Sequence, residues 1–302
     1  MTQRRNGSCV LRERKTRFIE IFRTTPTRTV CPNFYVLAHA NGCTFAPRCS
    51  YCYLKSSFWF LKSAQAFTNV EGIVREAGAW IARDDLESYV LNMGNLSDSL
   101  AFESVRPLVV QLVWLFRKEA ETRSRPHALL LVTKSGVKDC KPLFDTAPCR
   151  NVIVSFSVNS PHAATRHESG AARVADRLDA ARRLQSQGWR VRIRIDPMIL
   201  GFDYAWITEQ VRQLAPERVT LGTLRAEANL PRFVGNGLFS ALEKPSDPKG
   251  LARFLLEKRL ELYGPAVRAL SKVCPIGLCE ERPDVWEALG LDTEARSCNC
   301  GS

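Results

Sequence analysis

Seven of the chain's eleven cysteines fall into two groups: Cys43, Cys49 and Cys52 near the start, and Cys274, Cys279, Cys298 and Cys300 near the end. Disulfides are rare in a reducing compartment, so this density of thiols argues for metal or redox chemistry. The other four, Cys9, Cys31, Cys140 and Cys149, are scattered, and a lone cysteine reads as a small core residue. The first group forms a C-x5-C-x2-C pattern within the loop from Asn41 to Leu54. Three thiolates so placed can hold three corners of a four-iron cluster and leave the fourth iron open to a non-protein ligand. The same loop admits a zinc site completed by His39, the nearest further ligand. The second group forms C-x4-C-x18-C-x-C around a short helical excursion near Val285 to Leu289. Its four thiolates suit an auxiliary iron–sulfur cluster or structural zinc, and the bland alternative leaves them unliganded.

The elements that must position these residues follow from hydrophobic patterning. Short β-branched or aromatic runs alternate with longer amphipathic stretches, the signature of βα units and a parallel sheet. The runs predict strands at Phe34 to Ala40, Ser88 to Met93, His127 to Thr133, Asn151 to Ser157, Trp189 to Asp196 and Arg218 to Leu221. Helices are expected near Val70 to Arg83, Phe102 to Glu121, Val137 to Phe144, Ala171 to Gln187 and Tyr204 to Leu214, and Pro248 to Ser271 reads as one long helix or two interrupted around Gly264-Pro265. In the fourth of these, Ala175, Leu178 and Ala181 make one stripe, and Gly188 is placed to end it. Six consecutive units predict a partial (β/α)6 TIM-type barrel in the α/β class, followed by a C-terminal cysteine-rich extension. The organisation expected is a basic arm over 1–30, the partial barrel over 31–228, a loop and helix over 229–273 and a cysteine-rich tail over 274–302. In such a sheet, site residues collect at the C-terminal ends of the strands.

The cluster loop resembles that of the radical S-adenosylmethionine superfamily, in which C-x3-C-x-aromatic-C follows the first strand. Tyr51 occupies the aromatic position. A closer resemblance is to the spore photoproduct lyase family, carried by Cys49-Ser50-Tyr51-Cys52-Tyr53-Leu54, Leu131-Val132-Thr133-Lys134, Phe156-Ser157-Val158-Asn159-Ser160, Glu168, Arg177-Leu178 and Asp196-Pro197 in order, roughly over residues 35 to 200. Two departures stand out. The first cysteine pair is separated by five residues instead of three, and Asn95 stands where the family places a hydrogen-donating cysteine. The second makes thymine-dimer repair by the family's own route doubtful.

The resemblance implies a [4Fe-4S] cluster on Cys43, Cys49 and Cys52, with S-adenosyl-L-methionine on the open iron. Reductive cleavage to a 5'-deoxyadenosyl radical and hydrogen abstraction from substrate would follow. It implies Tyr51, Tyr53, Ser97, Asp98, Lys134, Ser157, Asn159 and Arg194 as cofactor-binding residues, with Lys134 near the methionine carboxylate. For Cys274, Cys279, Cys298 and Cys300 it favours a second [4Fe-4S] cluster over zinc. An electron donor such as flavodoxin or ferredoxin is implied too.

Charge bears on the substrate. The 302 residues carry 43 Lys and Arg against 31 Asp and Glu, a net charge of +12, which favours nucleic acid, nucleotides or other phosphate-bearing molecules. Arg4, Arg5, Arg12, Arg14, Lys15, Arg17, Arg23 and Arg28 concentrate in the expected arm, where they would meet a phosphate backbone or solvent. Phe58, Trp59 and Phe60 would stack on bases or pack in the core. The fifth strand places Arg190, Arg192, Arg194 and Asp196 on one face. Turned inward, that face would bring Arg194 and Asp196 to the cofactor; turned outward, it would pair with surface carboxylates. No apolar run is long enough to span a bilayer, and no secretory leader is legible, so the expected location is cytoplasmic. The competing readings are a zinc-stabilised, non-catalytic nucleic-acid-binding protein and a radical enzyme for a peptide or small metabolite.

Overall fold

The six expected strands all form: the apolar run Val152–Val158 is buried at every position, and the strand Arg190–Met198 alternates arginines with buried Val191, Ile193 and Ile195. The computed structural model describes residues 9–23, 28–235, 237–245, 247, 250–295 and 297–301. Arg4 and Arg5 of the expected arm lie outside them. In chain order the strands are β1 Cys9–Arg12, β2 Ile19–Phe22, β3 Phe34–Leu37, β4 Ala40–Asn41, β5 Ala64–Phe67, β6 Val90–Asn92, β7 Ala128–Thr133, β8 Val152–Val158, β9 Arg190–Met198, β10 Arg218–Thr223, β11 Arg225–Ala226, β12 Ala252–Arg253 and β13 Ile276–Leu278. The helices are α1 Leu54–Ser57, α2 Val70–Ile81, α3 Val109–Glu119, α4 Lys141–Phe144, α5 Pro161–His167, α6 Val174–Ser186, α7 Ala205–Leu214, α8 Pro231–Val234, α9 Leu256–Leu270 and α10 Pro283–Ala288.

The main sheet has eight strands in the order β13-β10-β9-β8-β7-β6-β3-β2. Only β2 runs antiparallel to its neighbour. The fold is thus a mixed α/β architecture on an open, mostly parallel sheet. Two of its strands come from stretches expected to lie outside it: β2 from the basic arm and β13 from the cysteine-rich tail. A three-stranded sheet, β1-β5-β4, lies beside the cluster loop.

The two faces of the main sheet differ. Val152, Val154, Phe156, Val191, Ile193, Ile195, Val219 and Leu221 join the large apolar core with α2, α3, α6, α7 and α9. The opposite face carries Val90, Ala128, Leu130 and Ile153, packed with Cys300. By strand alternation, Arg190, Arg192, Arg194 and Asp196 belong to this second face.

Helix boundaries show what patterning leaves open. Residues before Pro107 form turns, and α3 starts only at Val109. The buried stripe of α6 is Val174, Leu178 and Ala181, with Ala175 exposed. Gly188 ends that helix at φ 94°, while the N–H of Trp189 donates to the Leu184 carbonyl at 3.0 Å and that of Gly188 to Gln185 at 2.9 Å, the double closure of a Schellman cap. In the C-terminal stretch α9 begins at Leu256 and carries Pro265 inside it.

Candidate functional site

The cluster loop runs from the end of β4 into α1, at the C-terminal ends of the parallel strands, where ligands of open α/β sheets bind. It is clasped from the far side. The Ser50 N–H donates to the His167 carbonyl at 2.9 Å, and Ser50 Oγ meets His167 Nδ1 at 2.8 Å. Gly170 has the loop so close that a Cβ there would stand 2.1 Å from the Pro47 carbonyl oxygen. The Cys43 thiol is pushed well up by burial, then by Asp98 and by the thiols of Cys52 and Cys49. Burial and the Glu168 carboxylate push Cys49 up to about 12. Cys52 is raised, again by burial. The three thiols therefore stand within one another's fields, as a shared ligand requires. Among the described residues, no three His, Cys, Asp or Glu side chains close on a point where a single metal ion would sit.

Next to Cys49 lies a buried ionic group. Arg177, from α6, is fully buried and pairs with Glu168, while its Nη1 also donates to the Ser157 carbonyl at 2.9 Å. Lys134, at the end of β7, stands 3.4 Å from the Glu168 carboxylate and donates to Ser157 Oγ at 2.6 Å. Asn159 Nδ2 donates to Glu168 at 3.2 Å and to the Pro197 carbonyl at 2.9 Å. The Tyr51 hydroxyl also donates to Glu168, and Lys134 Nζ lies 5.9 Å from the Tyr51 ring centroid. Burial alone would raise the Glu168 carboxyl, but Lys134 and Arg177 outweigh it and hold it down to about 2.

The expected cofactor residues separate on this geometry. Tyr51, Lys134, Ser157 and Asn159 come together around Glu168, a residue noted in the family motif but absent from the expected ligand set. Tyr53 donates to the Asn95 carbonyl and feels the charges of Cys52, Glu280, Arg194 and Cys279. Asp98 is committed to the protein: Oδ1 accepts from the Leu100 and Ala101 N–H groups and from Thr133 Oγ1, and Oδ2 accepts from the Lys134 N–H at 2.7 Å. It therefore fixes the backbone at Lys134. Ser97 meets His39 Nε2 at 2.6 Å, and Arg106 meets His39 Nδ1 at 2.6 Å. With both ring nitrogens engaged, His39 is not free to complete a zinc site in the loop.

The arginine row is spread along the inner face. Arg190 and Arg192 both pair with Glu217. Arg194 pairs with Asp196, which Arg225 also engages, and donates to Cys279 Sγ at 3.3 Å. The expected tail set is split too. Cys274 packs into the helix-side core, whereas Cys279, Cys298 and Cys300 are among the charges acting on Cys31. No spacing in the sequence could have signalled Cys31, because its approach depends on the segment before β3 lying against the tail.

Comparison with known proteins agrees with this arrangement. The spore photoproduct lyase family profile matches residues 12–221. Spore photoproduct lyase of Clostridium acetobutylicum is 23% identical over 199 residues, covering 66% of this chain and 56% of that protein. The chain thus spans little more than half the length of this curated relative. A solved spore photoproduct lyase complexed with dinucleoside spore photoproduct superposes with TM-score 0.71 at 17% identity, covering 90% of this chain and 82% of that one. A variant with bound AdoMet and dinucleoside spore photoproduct gives 0.70 at 16% identity over 91% and 82%. These structures share the fold. No helix among the described residues is long and apolar enough to cross a membrane. With well over half of its length matched by the family profile, and the family's motifs gathered around one loop, the chain belongs to the spore photoproduct lyase family of radical S-adenosylmethionine proteins.

Proposed function

We propose that this chain is a radical S-adenosylmethionine enzyme acting on nucleic acid. The observation that carries the reading is the buried Lys134–Glu168–Arg177 group, whose charges act on the Cys49 thiol. A dry ionic group next to three mutually close thiols is costly as mere structure, and it suits a zwitterionic ligand placed against a cluster. The donor set fits: Cys43, Cys49 and Cys52 would hold three irons of a [4Fe-4S] cluster. Bound there, the cluster and S-adenosylmethionine supply reductive cleavage to methionine and a 5'-deoxyadenosyl radical.

The chain's own residues bind and orient. Lys134 offers its ammonium to the methionine carboxylate, Ser157 and Asn159 offer polar atoms beside it, and Glu168 holds Lys134, Asn159 and Tyr51 in place. Asp98 sets the backbone from which Lys134 extends. Burial of this group keeps water away, as radical chemistry requires. We read the open sheet as a partial (β/α)6 barrel because its middle strands follow in chain order.

A nucleic-acid substrate is favoured by the +12 charge and by Trp59, 68% exposed, and Phe60, 60% exposed, shortly after the cluster loop. The reading places the chain in the cytoplasm, where a reducing environment would keep its cysteines available as ligands and a one-electron donor such as flavodoxin or ferredoxin would serve it. The test is to incubate reconstituted protein with S-adenosylmethionine and reductant, adding an oligonucleotide that carries spore photoproduct, an undamaged oligonucleotide or a peptide. Formation of 5'-deoxyadenosine should rise with one of the oligonucleotides. Stimulation by the peptide alone would move the substrate to another class.

A further inference from the structure

We propose that Cys31, Cys279, Cys298 and Cys300 hold a second iron–sulfur cluster, with Cys31 supplying the ligand expected from Cys274. The backbone brings these residues together from three places. The Val30 N–H donates to the Glu281 carbonyl at 2.8 Å, tying the segment that carries Cys31 to the residues just after Cys279. The Cys279 N–H donates to the Leu221 carbonyl at 2.7 Å, fixing it at the C-terminal end of β10. Arg192 Nη1 donates to the carbonyls of Asn299 at 2.7 Å and Gly301 at 2.8 Å, and Arg218 Nη1 donates to that of Cys298 at 2.9 Å. These bonds draw the C-x-C segment onto the inner face of the sheet, where Cys300 packs. The contact is tight at Gly277, where a Cβ would stand 2.3 Å from the Cys298 backbone nitrogen.

Three observations point to an anionic metal cluster. Four thiolates around an iron–sulfur core make an anion, and the thiols here face guanidiniums: Arg225 and Arg194 donate to Cys279 Sγ at 3.1 and 3.3 Å. Polar groups in the same region lack partners. Both amide atoms of Asn299, which is 1% exposed and sits between Cys298 and Cys300, are buried with no hydrogen bond, as are Ser155 Oγ and Thr220 Oγ1. Ser155 lies opposite Arg192 in the sheet, and Thr220 opposite Arg194. The thiols also lie within one another's reach: Cys300, Cys279 and Cys298 all interact electrostatically with Cys31, whose neighbour Val30 is hydrogen-bonded to Glu281.

The test isolates this site from the first. A full-length variant with Cys43, Cys49 and Cys52 all changed to Ala removes the loop cluster, so its result does not depend on whether the first site works. Purified anaerobically and reconstituted with iron and sulfide, it should retain about four iron per chain. It should also give a reducible electron-paramagnetic signal. Adding Cys31→Ser should abolish both, whereas adding Cys274→Ser should leave both. Circular dichroism of the metal-free variants checks that Cys31→Ser remains folded; if it does not, Cys300→Ser is the second probe of the same set. No iron in the loop variant, zinc in its place, or loss with Cys274→Ser but not with Cys31→Ser would each overturn the proposal.

Discussion

At the scale of single residues, Glu168 decides most. It is buried and accepts from Arg177, Tyr51 and Asn159 while facing Lys134. Arg177→Ala leaves that carboxylate without its closest cation, and breaking a buried pair from one side costs about 3–5 kcal/mol. Urea unfolding should show that loss, and a change under about 1 kcal/mol would mean Lys134 and water suffice. The same residue sets an acid limb. Its carboxyl lies at about 2 in the folded chain against an ordinary 4.5, and Glu217 is likewise held at about 2, burial being outweighed by Arg190 and Arg192. Groups depressed on folding contribute fully above their unfolded pKa, and that stability falls away as pH drops toward the folded value. Unfolding free energy should therefore decline from about pH 4.5 downward, less steeply in Glu168→Gln. A flat profile down to about pH 3 would contradict the assignment.

At the scale of elements, the six central strands were legible from apolar runs such as that of β8 and from the strict alternation of arginines with Val191, Ile193 and Ile195 in β9. Their order in the sheet follows the chain, as expected when consecutive parallel strands are joined through helices and lie side by side. The edges were not legible. β2 is four residues with a charge inside it, set among basic residues, and β13 is three residues between two cysteines; neither has enough pattern to signal a strand. That Cys43, Cys49 and Cys52 share one loop was readable from their spacing alone. The surroundings of the tail cysteines were not legible, since Cys274 packs into the helix-side core while a backbone contact from Val30 to Glu281 brings the segment of Cys31 to the tail. Close approaches between elements carry the positioning. Gly170→Ala would drive a methyl into the Pro47 carbonyl, and overpacking of this kind typically costs about 1–3 kcal/mol. Because the strain falls on the cluster loop, iron retention in the loop should fall along with melting temperature. Unchanged iron content would show that the loop can shift without losing its ligands.

At the scale of the whole molecule, charge and exposed aromatic surface govern encounter with substrate. Trp59 stacks near Phe233, with ring centroids 6.5 Å apart, beside the exposed Phe60. On a chain of net charge +12, oligonucleotide affinity should fall linearly in log–log terms as salt rises. Trp59→Ala should weaken it by about 1–3 kcal/mol if bases stack there, read by fluorescence anisotropy. Affinity indifferent to both salt and Trp59 would place the substrate elsewhere. The account rests above all on cofactor cleavage at the Cys43, Cys49 and Cys52 loop. The direct measurement is to reconstitute the protein anaerobically, add dithionite and S-adenosylmethionine, and quantify 5'-deoxyadenosine by mass spectrometry, with Cys52→Ala in parallel. The account predicts 5'-deoxyadenosine from the unmodified chain and none above background from the variant. Iron-loaded protein that forms no 5'-deoxyadenosine, or a variant as active as the parent, would contradict it.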